Sequence, residues 1–263
     1  MSKPKISVVQ YLNTVPLIWG MLHGEERCKY ELTFTTPARC ADAVRDAEAD
    51  VGIIPSIEYQ RIGGLRVVSG LSIASNFEVK SVLLVSNVPV ESVQTVAADS
   101  SSRTSVVLVR ILLEKFYLRR VQMISADPQP DVMLKCADAA LVIGDPALAY
   151  RGTAPHVYDL GAEWRKLTGL PFVFAFWAGR EDAALGELGA DLRNSRDHGL
   201  AHVDEIAAQC GPKYGMSAEE VNVYLTQNID YNLNEDHRQG LSLFYKLARE
   251  VGVIPEIRNL EFV

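Results

Sequence analysis

Short apolar runs rich in β-forming residues alternate with amphipathic helical patterns along most of this 263-residue chain, and this alternation constrains its fold more than any other feature. In the first part of the chain the pattern predicts strands at 5–9, 30–35 and 51–54, with helices at about 15–23 and 37–48 between them. This order is typical of βαβ units in a mostly parallel sheet. The sequence therefore predicts an α/β fold.

The order of the elements also predicts how the chain is divided. The segment Asn87-Val88-Pro89 interrupts the first run of strands and indicates a crossing into a second α/β unit. The last part of the chain, from Asp182 to Leu247, has helical patterns. We therefore predict two lobes, with 1–86 and 176–263 forming lobe I and 87–175 forming lobe II. The cleft between two such lobes is the expected binding site.

Composition narrows the classes of partner. Hydrophobic residues make up 48% of the chain, which is enough for a sizeable core. The net charge of −7 and the dispersed Lys and Arg residues argue against a nucleic-acid surface. The four cysteines, Cys28, Cys40, Cys136 and Cys210, have no paired spacing, so they predict neither a zinc site nor a redox pair. We expect a small-molecule partner, no metal and no cofactor.

The start of the chain bears on localisation. Lys3-Pro4-Lys5 passes directly into the strand pattern Ile6 to Val9, which leaves no room for a secretory hydrophobic region. No apolar run approaches the length that spans a membrane. The sequence therefore predicts a cytoplasmic protein with no membrane partner, and it sets no oligomeric state.

The most biased segment is the turn Asp99-Ser100-Ser101-Ser102-Arg103-Thr104-Ser105, which lies between a predicted strand and a predicted helix at 103–118. Free N–H groups at a helix N-terminus, together with several hydroxyls, suit a carboxylate or a phosphate. The alternative is that Ser100 or Ser102 only caps the helix. Five hydroxyl residues and Arg103 exceed what a cap needs, so we favour an anion site.

Four further pairs of residues follow predicted strands, where open α/β sheets bind ligands. They are Tyr11 with Asn13, Thr36 with Arg39, Ser56 with Glu58, and Gly144 with Asp145. Asn13 and Asp145 also suit helix N-caps, and Glu58 suits a helix N-terminus, so both interpretations stay open. Arg39 is unfavourable in a first helical turn unless a carboxylate binds it. Gly144 permits close approach of a ligand to the backbone.

Four motifs, in order along the chain, resemble the menaquinone-biosynthesis family MqnA. They are Tyr-Leu-Asn-Thr-x-Pro-Leu at 11–17, Asp-Val-Gly-Ile-Ile-Pro-Ser-Ile-Glu-Tyr at 50–59, the serine-rich turn at 99–105 and Gly-Asp-Pro-Ala-Leu at 144–148. The tail segments 229–231 and 240–245 are also similar to that family. The resemblance implies the two-lobed periplasmic-binding-protein fold (type II). It also implies a chorismate dehydratase, a carbon–oxygen lyase that opens the futalosine route to menaquinone.

The implied reaction removes water from chorismate to give 3-[(1-carboxyvinyl)oxy]benzoate. The resemblance places one substrate carboxylate on the turn formed by Ser100, Ser101, Ser102, Arg103 and Thr104, and it directs Asn13, Ser56 and Thr36 to the other end. Tyr11, Arg39, Gly144 and Asp145 complete the predicted substrate site. We expect the substrate's own enolpyruvyl carboxylate to take the C3 proton, with Asn13 as the catalytic residue that orients it or the departing hydroxyl. Asp145 and Glu58 are the alternative bases.

Two other functions compete with this one. A related lyase of the same pathway, which releases 1,4-dihydroxy-6-naphthoate, is similar in outline, but it carries a histidine where this chain has Val142-Ile143-Gly144-Asp145. A nonenzymatic binding protein for a small carboxylate is the other alternative. A transport receptor of that kind is expected to need a signal peptide or a lipid anchor, whereas a cytosolic sensor needs neither.

Overall fold

The computed structural model describes residues 3–183 and 185–263, and over these residues the chain forms two five-stranded sheets covered by helices. The strands are β1 (Lys5–Val9), β2 (Glu31–Thr35), β3 (Val51–Pro55), β4 (Leu65–Ser75), β5 (Val82–Ser86), β6 (Thr95–Asp99), β7 (Gln122–Ala126), β8 (Ala139–Ile143), β9 (His156–Asp159) and β10 (Phe172–Arg180). The helices are α1 (Val15–His23), α2 (Pro37–Arg45), α3 (Glu58–Arg61), α4 (Thr104–Ile111), α5 (Pro130–Cys136), α6 (Asp145–Leu148), α7 (Leu160–Thr168), α8 (Leu188–Ala201), α9 (Val203–Tyr214), α10 (Ala218–Val223) and α11 (Glu235–Glu250).

Both sheets are mixed, so the expectation of a mostly parallel sheet is only partly right. In the first sheet, with the order β2-β1-β3-β10-β4, β1 is parallel to β2 and β3, whereas β10 is antiparallel to β3 and β4. In the second sheet, with the order β7-β6-β8-β5-β9, β6 is parallel to β7 and β8, whereas β5 is antiparallel to β8 and β9. The antiparallel strands β5 and β10 are those that the chain reaches directly after crossing between sheets.

The crossings lie earlier in the chain than the sequence predicted. The chain leaves the first sheet after Ser75 and returns to it at Phe172. Strand β5, which the prediction placed in lobe I, pairs with β8 from Val82 opposite Ile143 to Ser86 opposite Ala139. Residues 172–175, which the prediction placed in lobe II, belong to β10 in the first sheet. The break at Asn87-Val88-Pro89 ends a strand, and a local break does not reveal which sheet that strand joins.

Most elements lie where the local pattern predicted them. The predicted helix at 103–118 corresponds to α4 and a π-helical turn, Leu112–Phe116. Strand β9 and helix α7 were not predicted, although Asp159 caps α7 and Gly169 ends it in the left-handed conformation. The helical tail is interrupted at 229–234, where extended backbone at Asp230 bridges to Ala74 of the first sheet.

The packing fixes the tail and the crossing to the first sheet. Phe172 at the start of β10 packs edge-on against Trp164 of α7 and Phe244 of α11, with ring centroids 5.2 and 5.0 Å apart. All three side chains are fully buried. Phe176 and Trp177 of β10 are also buried. No helix in the described ranges is long and apolar enough to cross a membrane.

Candidate functional site

A cavity lies between the two sheets, where the carboxyl ends of β1 and β3 face those of β6 and β8. About 540 Å³ of space that protein atoms do not fill lies here, and part of it is open to solvent. Its lining is mostly apolar. The lining residues are Val9, Tyr11, Asn13, Pro37, Pro55, Ile73, Val79, Ser81, Val82, Ser102, Arg103, Thr104, Ser105, Ile143, Gly144, Phe174 and Ala175.

The first wall comes from the segment after β1. Leu12–Thr14 forms a single 3-10 turn that leads into α1, and the Asn13 side chain, 8% exposed, lies at the cavity. Its Oδ1 atom accepts a hydrogen bond from the Thr14 hydroxyl at 3.4 Å, and it caps neither the turn nor α1. Tyr11 lies beside it, and burial raises the pKa of its hydroxyl to about 12, so this phenol is neutral at pH 7. The wall therefore offers neutral polar groups.

The second wall is the serine-rich turn before α4. Asp99 holds this turn, because its Oδ1 atom accepts the N–H and the hydroxyl of Ser101 at 2.8 and 2.7 Å. The N-cap of α4 is Arg103, and no side chain caps the helix, so the capping interpretation is wrong. Ser102 is only 8% exposed, and its hydroxyl has no hydrogen-bond partner within residues 3–183 and 185–263. A donor without a partner thus lines the cavity next to the N-terminus of α4.

Arg103 joins the two lobes. Its Nη1 atom lies 2.8 Å from Oε2 of Glu58, and its Nη2 atom lies 2.8 Å from Oδ1 of Asp42 on α2. The other Glu58 oxygen, Oε1, accepts from Arg61 at 2.8 Å. Both Glu58 oxygens are therefore occupied by guanidinium groups, and Arg103 has two protein carboxylates as partners.

A second set of contacts also joins the two lobes. The Oδ1 atom of Asp145 accepts the Leu12 N–H at 2.9 Å, and the Tyr11 hydroxyl lies 3.3 Å from that of Ser101. Burial raises the pKa of the Asp145 carboxyl group, while the Leu12 N–H lowers it. The Thr104 hydroxyl of the second lobe accepts the N–H of Ile57 in the first at 3.2 Å. The lobes are thus held closed over the cavity.

A sequence model of the family described as Menaquinone biosynthesis matches residues 4–250. The chain belongs to this family. The resemblance to MqnA found in the motifs is therefore confirmed. Two relatives of this menaquinone biosynthesis protein are chorismate dehydratases. The one from Thermus thermophilus is 28% identical over 91% of this chain and 93% of its own length. The one from Campylobacter jejuni is 29% identical over 93% of this chain and 97% of its own length.

Solved structures confirm the two-lobed fold of this menaquinone biosynthesis family member. A protein of Archaeoglobus fulgidus superposes with a TM-score of 0.77 at 17% identity, covering 96% of this chain and 98% of its own. The periplasmic aliphatic sulphonate binding protein SsuA from Escherichia coli superposes with a TM-score of 0.65 at 16% identity, covering 97% and 94%. The α/β fold with a cleft between two lobes, as in periplasmic binding proteins, is therefore confirmed.

The structure brings only part of the predicted site to the cavity. Tyr11, Asn13, Ser102, Arg103, Thr104 and Gly144 line it. Ser101 and Asp145 lie behind the wall and connect the lobes.

Four other predicted residues do not reach the cavity wall. Thr36, the N-cap of α2, and Arg39 within α2 are exposed, and Ser100 is exposed in the serine-rich turn. Ser56 is fully buried, with its hydroxyl donating to the Val173 carbonyl at 2.8 Å. These four residues do follow strands, as predicted. A position after a strand, however, does not fix the direction in which the side chain points.

Sequence reasoning missed most of the apolar lining. Pro37, Pro55, Ser105 and Ile143 are neighbours of predicted residues, and their motifs would have found them. A second group comes from the first crossing and from the strands β4, β5 and β10 that flank the two crossings, and no local pattern marks it. This group consists of Ile73, Val79, Ser81, Val82, Phe174 and Ala175. Phe174 belongs to the buried core, at 8% exposed, and also lines the cavity. Within the described ranges, no cluster of three or more His, Cys, Asp or Glu side chains is arranged to hold a metal ion.

Proposed function

We propose that this protein is a chorismate dehydratase, a carbon–oxygen lyase that forms 3-[(1-carboxyvinyl)oxy]benzoate and water. The observation that carries this proposal is the cavity. Its described wall contains donors for carboxylates but no Asp, Glu or His side chain that could act as a base. Such a wall suits a dianionic substrate that supplies its own base. The names of the two relatives support the same reaction, and a biosynthetic enzyme of this kind is expected in the cytoplasm.

One substrate carboxylate would bind at the serine-rich turn. The Ser102 hydroxyl, which has no partner among the described residues, and the N-terminal N–H groups of α4 are donors at this wall, and the helix macrodipole favours an anion there. Arg103 adds positive potential, although Glu58 and Asp42 already bind its guanidinium group. The other end of the substrate would meet Asn13. The lobes would open for entry by bending at the crossings 76–81 and 169–171.

Elimination would begin at C3 of the substrate. The enolpyruvyl carboxylate takes the C3 proton, and the electron pair left at C3 delocalises through the diene to the ring carboxylate. The pair then forms the third ring double bond as the C4 hydroxyl leaves, and the proton joins that hydroxide as water. Hydrogen bonds from the turn strengthen as charge moves onto the ring carboxylate, which favours the transition state over the bound substrate.

The geometry of the two alternative bases supports this substrate-assisted route. The Asp145 Oδ1 atom accepts the Leu12 N–H, and both oxygens of Glu58 are paired with Arg61 and Arg103. Neither acid lies in the cavity wall. Asn13 lies there, and its amide can orient the enolpyruvyl carboxylate or the departing hydroxyl.

The test is to incubate the purified, chelator-treated protein with chorismate and to identify the products by mass spectrometry and proton NMR. The proposal requires loss of one water and the proton signals of a 1,3-substituted benzene ring. Asn13→Ala should reduce this turnover by at least about 100-fold without changing the melting temperature by more than a few degrees. Unchanged chorismate that binds tightly would instead indicate a binding protein, and an inactive protein that does not bind chorismate would exclude the substrate.

A further inference from the structure

The carboxyl group of Asp145 crosses the cleft to the backbone that carries Asn13. Leu12, whose N–H it accepts at 2.9 Å, is the first residue of the 3-10 turn Leu12–Thr14. The first N–H groups of a helical turn have no partner within the turn and need an external acceptor. The N-cap residue Tyr11 gives no side-chain hydrogen bond to the turn. Asp145 in the second lobe therefore supplies the acceptor that the first lobe lacks.

Gly144 allows this contact. Its backbone has φ +63° and ψ −142°, a conformation that L side chains rarely adopt. The Tyr11 ring packs directly on it, and a Cβ atom at this position would lie 2.5 Å from the Cε2 atom of the ring. The close approach of Tyr11 to Gly144 brings the next residue of each segment, Leu12 and Asp145, within hydrogen-bond distance. The cap thus forms only where the two lobes meet.

We propose that Asp145 is a positioning residue that fixes the turn carrying Asn13 when the lobes close. This inference rests on the proposed function, in which Asn13 acts on the substrate. Asp145 and Asn13 belong to different lobes, so the turn receives its cap only in the closed protein. Closure therefore excludes water and orders Asn13 in the same step, which couples turnover to the closed state.

The test compares Asp145→Asn with Asp145→Ala. The Oδ1 atom of an asparagine still accepts the Leu12 N–H, so Asp145→Asn should keep kcat within about 3-fold of the wild type. Asp145→Ala loses the acceptor and should lower kcat by about 10- to 100-fold, as expected for a hydrogen bond to a charged group. Equal losses in both variants would overturn the inference, because they would mean that the acid itself, as a base, is required.

A double-mutant cycle with Asn13→Ala tests whether Asp145 acts through that residue. In the Asn13→Ala background, Asp145→Ala should lower the residual rate by less than about 2-fold, whereas independent roles would multiply the two losses. Asp138→Ala is the matched control. Its carboxylate accepts the Gln94 and Thr95 N–H groups at 3.0 and 2.8 Å within the second lobe. This control should lower stability but leave kcat unchanged.

Amide hydrogen exchange gives a readout that does not depend on turnover. A peptide covering residues 10–16 should exchange faster in Asp145→Ala than in the wild type and in Asp145→Asn. If the wild type fails to dehydrate chorismate but this exchange pattern is found, the proposed function fails and the cap across the cleft stands. If chorismate is dehydrated but the exchange of all three proteins is equal, the positioning role is refuted.

Discussion

Arg103 lines the cavity but binds two carboxylates of the opposite lobe, and these two facts predict opposite results for one double variant. We consider Asp42→Asn combined with Glu58→Gln, which removes both negative charges and keeps the size of each side chain. If Arg103 acts mainly as a latch between the lobes, this variant should close less readily and bind chorismate more weakly. If Arg103 acts mainly on a substrate carboxylate, the variant frees its charge and should bind chorismate more tightly.

The structure gives the size of the loss of lobe closure that the latch predicts. The Glu58 side chain is only 4% exposed, and a hydrogen bond between charged groups in such a place contributes about 1.5 kcal/mol or more. The contact between Arg103 and Asp42 is 23% and 22% exposed, so solvent screening reduces its contribution to about 0.5 kcal/mol. The sum of about 2 kcal/mol corresponds to a change of about 30-fold in the closing equilibrium. KM should therefore rise by up to about 30-fold.

Steady-state kinetics with chorismate measure this change, and small-angle scattering reports the fraction of closed protein. Asp46→Asn is the control, because it removes a carboxylate whose side-chain hydrogen bonds within the described residues all come from Arg45 on the surface of the same lobe. Urea unfolding checks that each variant folds. A KM for the double variant equal to or below that of Asp46→Asn would refute the latch.

Three further perturbations test the site and the fold. Gly144→Ala places a Cβ atom against the Tyr11 ring and strains the backbone, so it should lower kcat/KM by at least about 10-fold. The far-UV circular dichroism of the protein should stay unchanged. Ser102→Ala should raise the KM for chorismate about 10-fold, yet leave the melting temperature of the free protein unchanged or slightly higher, because the buried hydroxyl has no partner within 3–183 and 185–263. Burial raises the pKa of the Asp230 carboxyl group, but the His237 Nε2 atom 3.4 Å away and hydrogen bonds from Asn76 and Asn232 outweigh it and hold that pKa well below its usual range. The lowered pKa means that the ionised carboxylate stabilises the fold at neutral pH and that this contribution is lost as the pH falls below about 4. The unfolding free energy of the wild type should therefore exceed that of Asp230→Asn by about 2 kcal/mol at pH 7, and urea titrations should find this difference shrinking below pH ~4.

Local sequence information was sufficient for most helices and strands. The bounds of β1 and α1 agree with the predicted 5–9 and 15–23, because the apolar period and the flanking residues are short-range features. The serine-rich turn was recognised for the same reason, since its hydroxyls and the start of α4 are adjacent in the chain. The order of the four motifs was also enough to indicate the family.

The closed arrangement of the lobes required the tertiary structure. The partners of Arg103 are 61 and 45 residues away in the chain, and the contact of Asp145 with Leu12 spans 133 residues. The sequence pattern gives no sign of contacts between residues so far apart in the chain. For this reason Arg103 was predicted to bind the substrate, and Asp145 was kept as an alternative base. The sheet to which β5 belongs was misassigned for the same reason.

The sequence alone determined which segments become strands and helices and which strand ends carry polar groups, because those properties depend on neighbours within a few turns of chain. Only the tertiary structure decided which of these polar groups face the cavity and which bind the opposite lobe. Hydrogen bonds and ion pairs act over about 3 Å, and the fold, not the spacing in sequence, sets which side chains come within that distance.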